Sequence, residues 1–232
     1  MTISATDSRI TGPLFSDPDV AAAFGDAAAV DAMVAVEAAL ARAQVRLGLI
    51  PSFAADCIAR AAETFEPDLD AIGADTEKSG VPTIALVAQL RRAAGEEAAP
   101  FVHWGATSQD IVDTAFVLQA RDVVDGFALR LAAVAEALVS LAEAHRDTIM
   151  VARTRSQQAL PTTFGVKVAG WLSPLARHLR RFHEMRGRVF AVQLGGAAGT
   201  LAAMGDRGAE VGKALADELG LSAPDMPWHT QR

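Results

Sequence analysis

A long stretch without proline constrains the fold of this chain more than any other sequence feature. From Thr107 to about His145 the sequence follows a helical pattern and contains a single glycine, Gly126. One continuous helix of roughly 38 residues would extend for about 57 Å at 1.5 Å per residue. Helices of this length are typical of coiled coils and elongated bundles. The stretch therefore predicts a bundle of long helices.

The rest of the chain also favours helices. Asp17-Pro18-Asp19 has the composition of a helix start, and Gly48 suits a helix end. Pro174 lies within a further helical stretch, where it should cause a kink or a local break. No segment shows a convincing strand-like alternation, so the predicted fold class is all-α. Further helices are predicted from Asp26 to about Leu47, Pro51 to Phe65, Pro82 to about Arg92, Pro161 to about Val192, and Arg207 to Leu219.

Composition argues against several classes of function. The formal net charge of −7 disfavours nucleic acid and anionic membranes as partners, but it still allows a local basic pocket for a small anion. Only 6% of the residues are aromatic, which argues against a surface for stacking bases. The single cysteine, Cys57, allows no internal disulfide and fits a reducing compartment. With no signal core and no apolar run of roughly 18 residues, a cytoplasmic protein is expected.

The segment from His103 to Ala115 is the most specific motif in the chain. Thr107 and Ser108 place hydroxyls and free amides at the positive end of the long helix, which makes a good cradle for a carboxylate. Thr107-x-x-Asp110 also resembles a capping box. The alternative is an ordinary loop and helix cap with His103 exposed.

A second polar segment runs from Arg153 to Gly165. Its two arginines and several hydroxyl and amide groups come just before the second long helix, and their chemistry suits anionic oxygens. Lys167 follows one turn later. The alternative for Lys167 is a solvated surface lysine.

Neither a nucleotide site nor a metal site is predicted. Gly195–Gly199 is rich in glycine, but a helix rather than a strand precedes it, so a dinucleotide fingerprint is rejected. We expect this loop to let backbones approach closely or to expose amides to a substrate. No grouping of histidine, cysteine and carboxylate residues has the spacing of zinc or calcium ligands.

Taken together, these motifs resemble those of one enzyme family. Thr107-Ser108-x-Asp110-x-x-Asp113-Thr114-Ala115 resembles the first signature of the fumarase/aspartase superfamily, in its branch of adenylosuccinate lyases and carboxymuconate cycloisomerases. The segment from Arg153 to Thr163 resembles the second signature. Phe15–Leu49, Ser79-Gly80-Val81-Pro82 and Trp228-His229-Thr230-Gln231-Arg232 are similar to other parts of that branch. The resemblance covers essentially the whole chain.

The resemblance implies an architecture. It places a small helical N-terminal domain at residues 1–104 and the first long helices of an elongated central bundle at residues 105–232. The remaining bundle helices, a C-terminal domain and a third, flexible signature are expected beyond Arg232, so the bundle is incomplete relative to the family. The family implies a homotetramer whose active sites combine segments of three subunits. It also implies that no metal or organic cofactor is needed.

The implied chemistry is proton transfer next to a carboxylate, coupled to making or breaking a C–O or C–N bond. The nearest implied activity is a cycloisomerase that converts the tricarboxylate 3-carboxy-cis,cis-muconate to a carboxymuconolactone in aromatic (protocatechuate, β-ketoadipate) catabolism. The alternatives are a fumarate-releasing lyase like adenylosuccinate lyase and an inactive helical scaffold. Arg155 favours the cycloisomerase, because those lyases typically have a catalytic histidine there and arginine does not release its proton.

The resemblance and the residue chemistry together give the candidate site residues. His103, Ser108 and Lys167 are the candidate catalytic residues, and His103 is the best protonatable group. We expect the two motifs to converge on one polyanionic substrate. The candidate substrate-binding residues are Thr107, Ser108, Arg153, Thr154, Arg155, Gln157, Gln158, Gln231 and Arg232.

Overall fold

Alanine, leucine and straight-chain polar residues, which favour helices, are common in this chain. The computed structural model describes residues 4–6 and 8–229, and this part of the chain is mostly helical. The predicted predominance of helices is confirmed, although one pair of strands interrupts it. Short 3₁₀ turns cover Ala99–Phe101 and Ala202–Arg207. None of the helices in this described part is long and apolar enough to cross a membrane. They are α1 (Gly12–Phe15), α2 (Pro18–Ala23), α3 (Asp26–Arg46), α4 (Ser52–Glu63), α5 (Leu69–Ser79), α6 (Thr83–Ala94), α7 (Ser108–Ala144), α8 (Phe164–Val189) and α9 (Gly208–Leu219).

Helix α3 contributes to two hydrophobic clusters. The first cluster joins α3 to α4, α6 and the start of α7, and its fully buried side chains include Leu86 and Ile111. The second cluster joins α3 to α9 and the segment 192–194, and Leu40 and Leu215 are fully buried in it. Burying one such side chain stabilises the fold by about 1.5–3 kcal/mol relative to leaving it exposed. Because α3 packs in both clusters, its position is fixed more firmly than that of a surface helix.

Helix α7 confirms the long helix predicted from the proline-free stretch. It continues without interruption over 37 residues. At its start, the Asp110 carboxylate accepts a hydrogen bond from the Thr107 backbone N–H at 3.0 Å, which is the acidic half of the predicted capping box. Helix α8 begins at Phe164, slightly later than predicted, and it continues through Pro174 without a break.

The segment before α8 is a β-hairpin, a local element that the sequence pattern did not predict in this otherwise helical chain. Strand β1 (Ile149–Thr154) pairs antiparallel with strand β2 (Gln157–Thr163) through a tight turn. The turn residues Arg155 and Ser156 both have left-handed backbone conformations, with φ of 47° and 65°. This is the backbone pattern of a type I′ hairpin turn. Most side chains of both strands are exposed, so no alternation of buried and exposed residues marks the strands in the sequence.

The start of α8 approaches the end of α7 closely at Gly165. A Cβ atom on Gly165 would lie 2.7 Å from the carbonyl oxygen of Ala142 and 2.8 Å from Cα of Arg146. Both contacts are with backbone atoms, which cannot rotate away as the end of a side chain can. Glycine is therefore the residue that permits this approach.

Replacing Gly165 with alanine is expected to lower the free energy of unfolding by about 1–3 kcal/mol, because the added methyl group overpacks against backbone. Gly170→Ala, in the same helix, is the matched control, since its Cβ position has no neighbouring group within 4 Å. There alanine should raise stability by up to about 1 kcal/mol through helix propensity. Urea unfolding followed by circular dichroism measures both variants. Equal effects at the two positions would contradict the close approach at Gly165.

Contacts between Cα atoms divide the chain into two compact units, Met1–Asp122 with Gly187–Arg232, and Val123–Arg186. Within the second unit, the guanidinium of Arg186 hydrogen-bonds both carboxylate oxygens of Asp125. This hydrogen bond raises the pKa of Arg186 above its ordinary value. The division into domains at residues 1–104 and 105–232 was based on the family resemblance, whereas the two compact units are defined by contacts between Cα atoms. That domain division stays a prediction.

Candidate active site

The first motif folds around a buried carboxylate, that of Asp110. The residue is 0% exposed, and its two oxygens accept four hydrogen bonds. Oδ1 accepts from Nε2 of Gln193 at 3.0 Å and from the Gly195 backbone N–H at 2.9 Å. Oδ2 accepts from the backbone N–H groups of Gly196 at 2.9 Å and Thr107 at 3.0 Å. These donors compensate for the lost hydration of the carboxylate, and Asp110 thereby ties the start of α7 to the glycine loop.

Gln193 extends this network towards the end of the described chain. Its Oε1 accepts from the backbone N–H groups of Trp228 at 2.7 Å and His229 at 3.0 Å. Its Nε2 also hydrogen-bonds Nδ1 of His229. Its backbone N–H and carbonyl both hydrogen-bond the Thr114 hydroxyl, at 2.9 Å and 3.0 Å. Gln193 is 0% exposed, so one buried amide holds three distant segments of the chain together.

Small residues allow the glycine loop to approach the first motif. Gly196 has a φ of 65°, a left-handed conformation that suits glycine. A Cβ atom there would lie 3.3 Å from the carbonyl oxygen of Gly105, and one on Gly195 would lie 2.8 Å from Cβ of Pro227. Close backbone approach, one of the two roles expected for this loop, is therefore confirmed. The amides of Gly195 and Gly196 donate to Asp110 instead of facing a substrate.

His103 lies against a carboxylate from the N-terminal helices. Its Nδ1 is 2.6 Å from Oε1 of Glu37, a residue of α3. The Glu37 side chain is 0% exposed and the His103 side chain is 16% exposed. The two side chains are therefore hydrogen-bonded to each other, and little of the imidazole faces solvent. The alternative that His103 is an exposed loop residue is therefore wrong.

Helix α3 also holds the residue that follows His103. Gln44, two helical turns after Glu37, donates from Nε2 to the carbonyl oxygen of Trp104 at 2.7 Å. Gln44 is 0% exposed. Residues at this spacing share one face of a helix. Two buried polar side chains of α3 thus support consecutive residues of the first motif.

Thr107 and Ser108 stand at the positive end of α7. Ser108 is the first residue of the helix, and both residues are half-buried. The first N–H groups of a helix have no partner within it, and the helix dipole adds partial positive charge there. Asp110 takes the Thr107 N–H, whereas the Ser108 hydroxyl hydrogen-bonds no group in the described part of the chain. This helix start can therefore bind a carboxylate.

The second motif lies on the β-hairpin. Arg153 and Thr154 end β1, Arg155 is in the turn, and Gln157 and Gln158 begin β2; all five are exposed. Across residues 4–6 and 8–229, no carboxylate pairs with either guanidinium group. Both are thus available to planar anionic groups such as carboxylates.

The last predicted site residues lie further along the chain. Lys167 is an exposed residue of α8, and its Nζ is 5.4 Å from the centre of the Trp171 ring. Gln231 and Arg232 lie outside the described residues. The first motif belongs to the first compact unit, and the hairpin with Lys167 belongs to the second. The expected convergence of the two motifs on one substrate stays a prediction.

Several residues that build this site were not among the predicted site residues, and three of them have buried side chains that support the motif or the glycine loop. They are Glu37, Gln44 and Gln193. Glu37 had a usable signal, because it is a charged residue within the apolar stretch of α3. The two glutamines had none, since a glutamine in a helix or next to a loop is ordinarily a surface residue.

A cleft of about 750 Å³ lies along α7, and the segments 188–191 and 224–228 complete its walls. Its walls include Phe116, Phe190 and Met226, and Arg188 supplies a cation. None of the predicted site residues in the described ranges lines it, so the candidate site is not assigned to this cleft. Within the same described ranges, no group of three or more histidine, cysteine or carboxylate side chains could hold a metal ion.

Comparison with known proteins gives one consistent family. Residues 15–231 match the lyase family. The chain is 42% identical over 99% of its length to a 3-carboxy-cis,cis-muconate cycloisomerase of Bradyrhizobium diazoefficiens, of which it covers 52%. It is also 42% identical over 94% of its length to an N-acetyl-S-(2-succino)cysteine lyase of Enterococcus italicus, of which it covers 48%. The crystal structure of a fumarate lyase from Mesorhizobium sp. BNC1 superposes with a TM-score of 0.89 at 48% identity, covering 93% of this chain and 51% of that one. The chain thus spans about half the length of the relatives it matches.

Proposed function

The chain belongs to the lyase family of the fumarase/aspartase superfamily, and on this premise we propose that the protein is a cycloisomerase acting on 3-carboxy-cis,cis-muconate. The cycloisomerase relative matches nearly the whole chain at 42% identity. The substrate carries three carboxylates, and the described residues supply helix-terminal hydroxyls, guanidinium groups and an imidazole for them. The place of this reaction in aromatic catabolism is part of the same proposal.

One observation carries the proposal: a histidine held by a buried carboxylate comes just before a helix start whose Ser108 hydroxyl has no partner among the described residues. Nδ1 of His103 is 2.6 Å from Oε1 of Glu37, and Ser108 opens the 37-residue helix α7 four positions after Trp104. A helix terminus binds an anion through N–H groups and the dipole. A histidine with one nitrogen fixed can exchange a proton through the other.

The reaction requires charge stabilisation and one proton. An oxygen of one substrate carboxylate forms a C–O bond to an alkene carbon, and the π electrons move towards a second carboxylate to give an enolate-like state. The carbon that gains electron density then takes a proton, so the γ-lactone is an isomer of the substrate. We assign proton delivery to His103, and we assign stabilisation of the developing charge to Ser108 and Lys167.

The hairpin residues complete the proposed binding site. Exposed guanidinium groups at Arg153 and Arg155 suit carboxylates, because each can form two parallel hydrogen bonds to one group. Thr154, Gln157 and Gln158 add neutral donors. Thr107, Gln231 and Arg232 are proposed to bind the remaining carboxylates. We propose that a homotetramer brings segments of different subunits together at each site.

A fumarate-releasing lyase is the second candidate. Relatives named as a succinocysteine lyase and a fumarate lyase are as similar to the chain as the cycloisomerase is. Arg155 argues against an enzyme like adenylosuccinate lyase, because the resemblance implies a catalytic histidine there in those lyases and arginine does not release its proton. An inactive helical scaffold is the third candidate.

A direct assay separates the first two candidates. With 3-carboxy-cis,cis-muconate as substrate, the protein should consume the conjugated diene, measured as loss of ultraviolet absorbance, without releasing fumarate. With adenylosuccinate or a succinylated cysteine, no fumarate should appear. Fumarate release from either compound, with no loss of carboxymuconate, would support the lyase instead.

Ligand-dependent stability separates an enzyme from a scaffold. A tricarboxylate that occupies the native site at about 100 times its Kd stabilises the fold by about 2.7 kcal/mol. For a chain of this size that corresponds to a rise in Tm of roughly 5–10 °C. If the protein is a scaffold, carboxymuconate should not raise its Tm. If it is the cycloisomerase, carboxymuconate should raise the Tm and succinate at the same ionic strength should not.

A further inference from the structure

Glu37 is a buried carboxylate with a single hydrogen-bond partner in the described chain. Its Oε1 lies 2.6 Å from Nδ1 of His103, within hydrogen-bonding distance, while its Oε2 is buried and has no partner within the described ranges. The side chain is 0% exposed. The imidazole is therefore the one group here that compensates for burying this carboxylate.

Packing alone does not account for a glutamate at this position. The residues around it on α3, Val36, Ala38 and Leu40, are buried and apolar. An apolar side chain of similar volume would avoid the desolvation of a carboxylate and is often neutral or stabilising at such sites. Asp31, the other acidic residue within this apolar stretch, is exposed, so its carboxylate stays hydrated. The position of Glu37 is explained by what it does to His103.

The contact fixes the tautomer of the imidazole. An ionised carboxylate only accepts hydrogen bonds, so Nδ1 of His103 carries a hydrogen when Glu37 is charged. In the neutral ring the lone pair then lies on Nε2, and in the charged ring Nε2 is a donor. No group in residues 4–6 or 8–229 hydrogen-bonds Nε2, and 16% of the side chain is exposed. The outer nitrogen is thus free to exchange a proton with a bound molecule.

The backbone of His103 is fixed as well as its ring. Its φ is 65°, a left-handed conformation that is uncommon for residues other than glycine. Gln44 holds the next carbonyl, that of Trp104, at 2.7 Å. Strained backbone that the surrounding structure holds in place is found preferentially at functional sites. Helix α3 therefore constrains both the ring and the peptide that follows it.

We propose that Glu37 is the positioning residue of the proposed reaction, holding His103 as the Nδ1–H tautomer so that Nε2 faces the carboxylate substrate. The inference rests on the proposed function for the identity of the substrate that Nε2 contacts. It adds a residue from the N-terminal helices to a site otherwise assigned to the two motifs.

The tautomer is read directly by ¹⁵N NMR of the histidine-labelled protein without substrate. Above about pH 8, where an ordinary imidazole is neutral, the His103 signals should show hydrogen on Nδ1 and a lone pair on Nε2. His103→Asn identifies the signals by their loss. Glu37→Gln should give a mixture, because an amide both accepts and donates. A wild-type His103 with hydrogen on Nε2 would overturn the proposal.

Kinetics test whether Glu37 acts through His103. Glu37→Gln should lower kcat for carboxymuconate by about 10- to 100-fold with KM changed less than about threefold. In the His103→Asn background the same substitution should have no further effect on kcat. An equal loss in both backgrounds would mean that Glu37 acts by another route, which also overturns the proposal.

A matched control separates positioning from general damage to the core. Thr83→Val replaces another buried side chain, 1% exposed, whose hydroxyl has no partner in the described chain. This variant should keep wild-type kcat and the wild-type His103 signals. If the wild-type protein fails to consume carboxymuconate, the proposed function is wrong, and the tautomer spectrum alone then decides the role of Glu37.

Discussion

Asp110→Asn is expected to lower the free energy of unfolding by about 3–5 kcal/mol. Asparagine keeps the shape of the side chain but offers one acceptor oxygen in place of two. Four donors surround the carboxylate, and those that face the new amide nitrogen lose their acceptor. Each buried donor left unpaired costs about 1–3 kcal/mol. Because the residue is 0% exposed, bulk water cannot replace the lost oxygen.

Urea unfolding measures this loss, and Asp122→Asn on the same helix is the control. The Asp122 side chain is 68% exposed and pairs with its neighbour Arg121. Exposed ion pairs contribute little, so this change should stay within about 0.5 kcal/mol. If both variants unfolded at the same urea concentration, the network around Asp110 would not hold the glycine loop to α7.

His103→Asn is expected to lower kcat by about 10²- to 10⁴-fold, the range of general acid–base catalysis. Asparagine is the most informative substitution, because its amide nitrogen occupies the place of Nδ1 and can still donate a hydrogen bond to Glu37. It also tolerates the left-handed backbone at this position. What it removes is Nε2 and with it the exchangeable proton. The loss should therefore appear in turnover and not in the folding of the protein.

The measurement is the rate of carboxymuconate consumption, accompanied by a thermal unfolding curve. His178→Asn is the matched control, because His178 is exposed on α8. In the described part of the chain its ring hydrogen-bonds Arg181. It should leave kcat unchanged. Unchanged turnover in His103→Asn as well would remove His103 from any acid or base role.

The long helices were predictable because their signals are local. Helix α7 has a polar start, a capping carboxylate and no proline, and all three are visible in the sequence. Helix α5 was missed although Asp68 caps it through the Ala71 N–H at 2.9 Å and the left-handed Gly80 ends it. Its one buried residue is Ile72. So little burial leaves almost no helical periodicity to detect.

The hairpin was missed for a different reason. Its strands are mostly exposed, so they lack the period of two that half-buried strands show. Pro161 lies within β2 and argues against a strand. The turn consists of Arg155 and Ser156 instead of the asparagine and glycine that favour left-handed conformations. Tertiary context overrides local preference in this segment.

The candidate site was predicted in its residue types more than in its contacts. The polar residues at the start of α7 were identified because helix termini have known chemistry. The pairing of His103 with Glu37 joins residues separated by 66 positions, and no local rule specifies such a partner. Gln193 and Asp110, 83 positions apart, illustrate the same limit.

Helix α3 couples the two hydrophobic clusters to the imidazole and to the Trp104 carbonyl. A cavity made in either cluster would let the helix shift or rotate, and Glu37 and Gln44 would move with it as one body. We therefore expect thermostability and the proposed turnover to be linked traits. Directed evolution that selects for one should recover substitutions along α3 that alter the other, even where they are remote from any bound molecule.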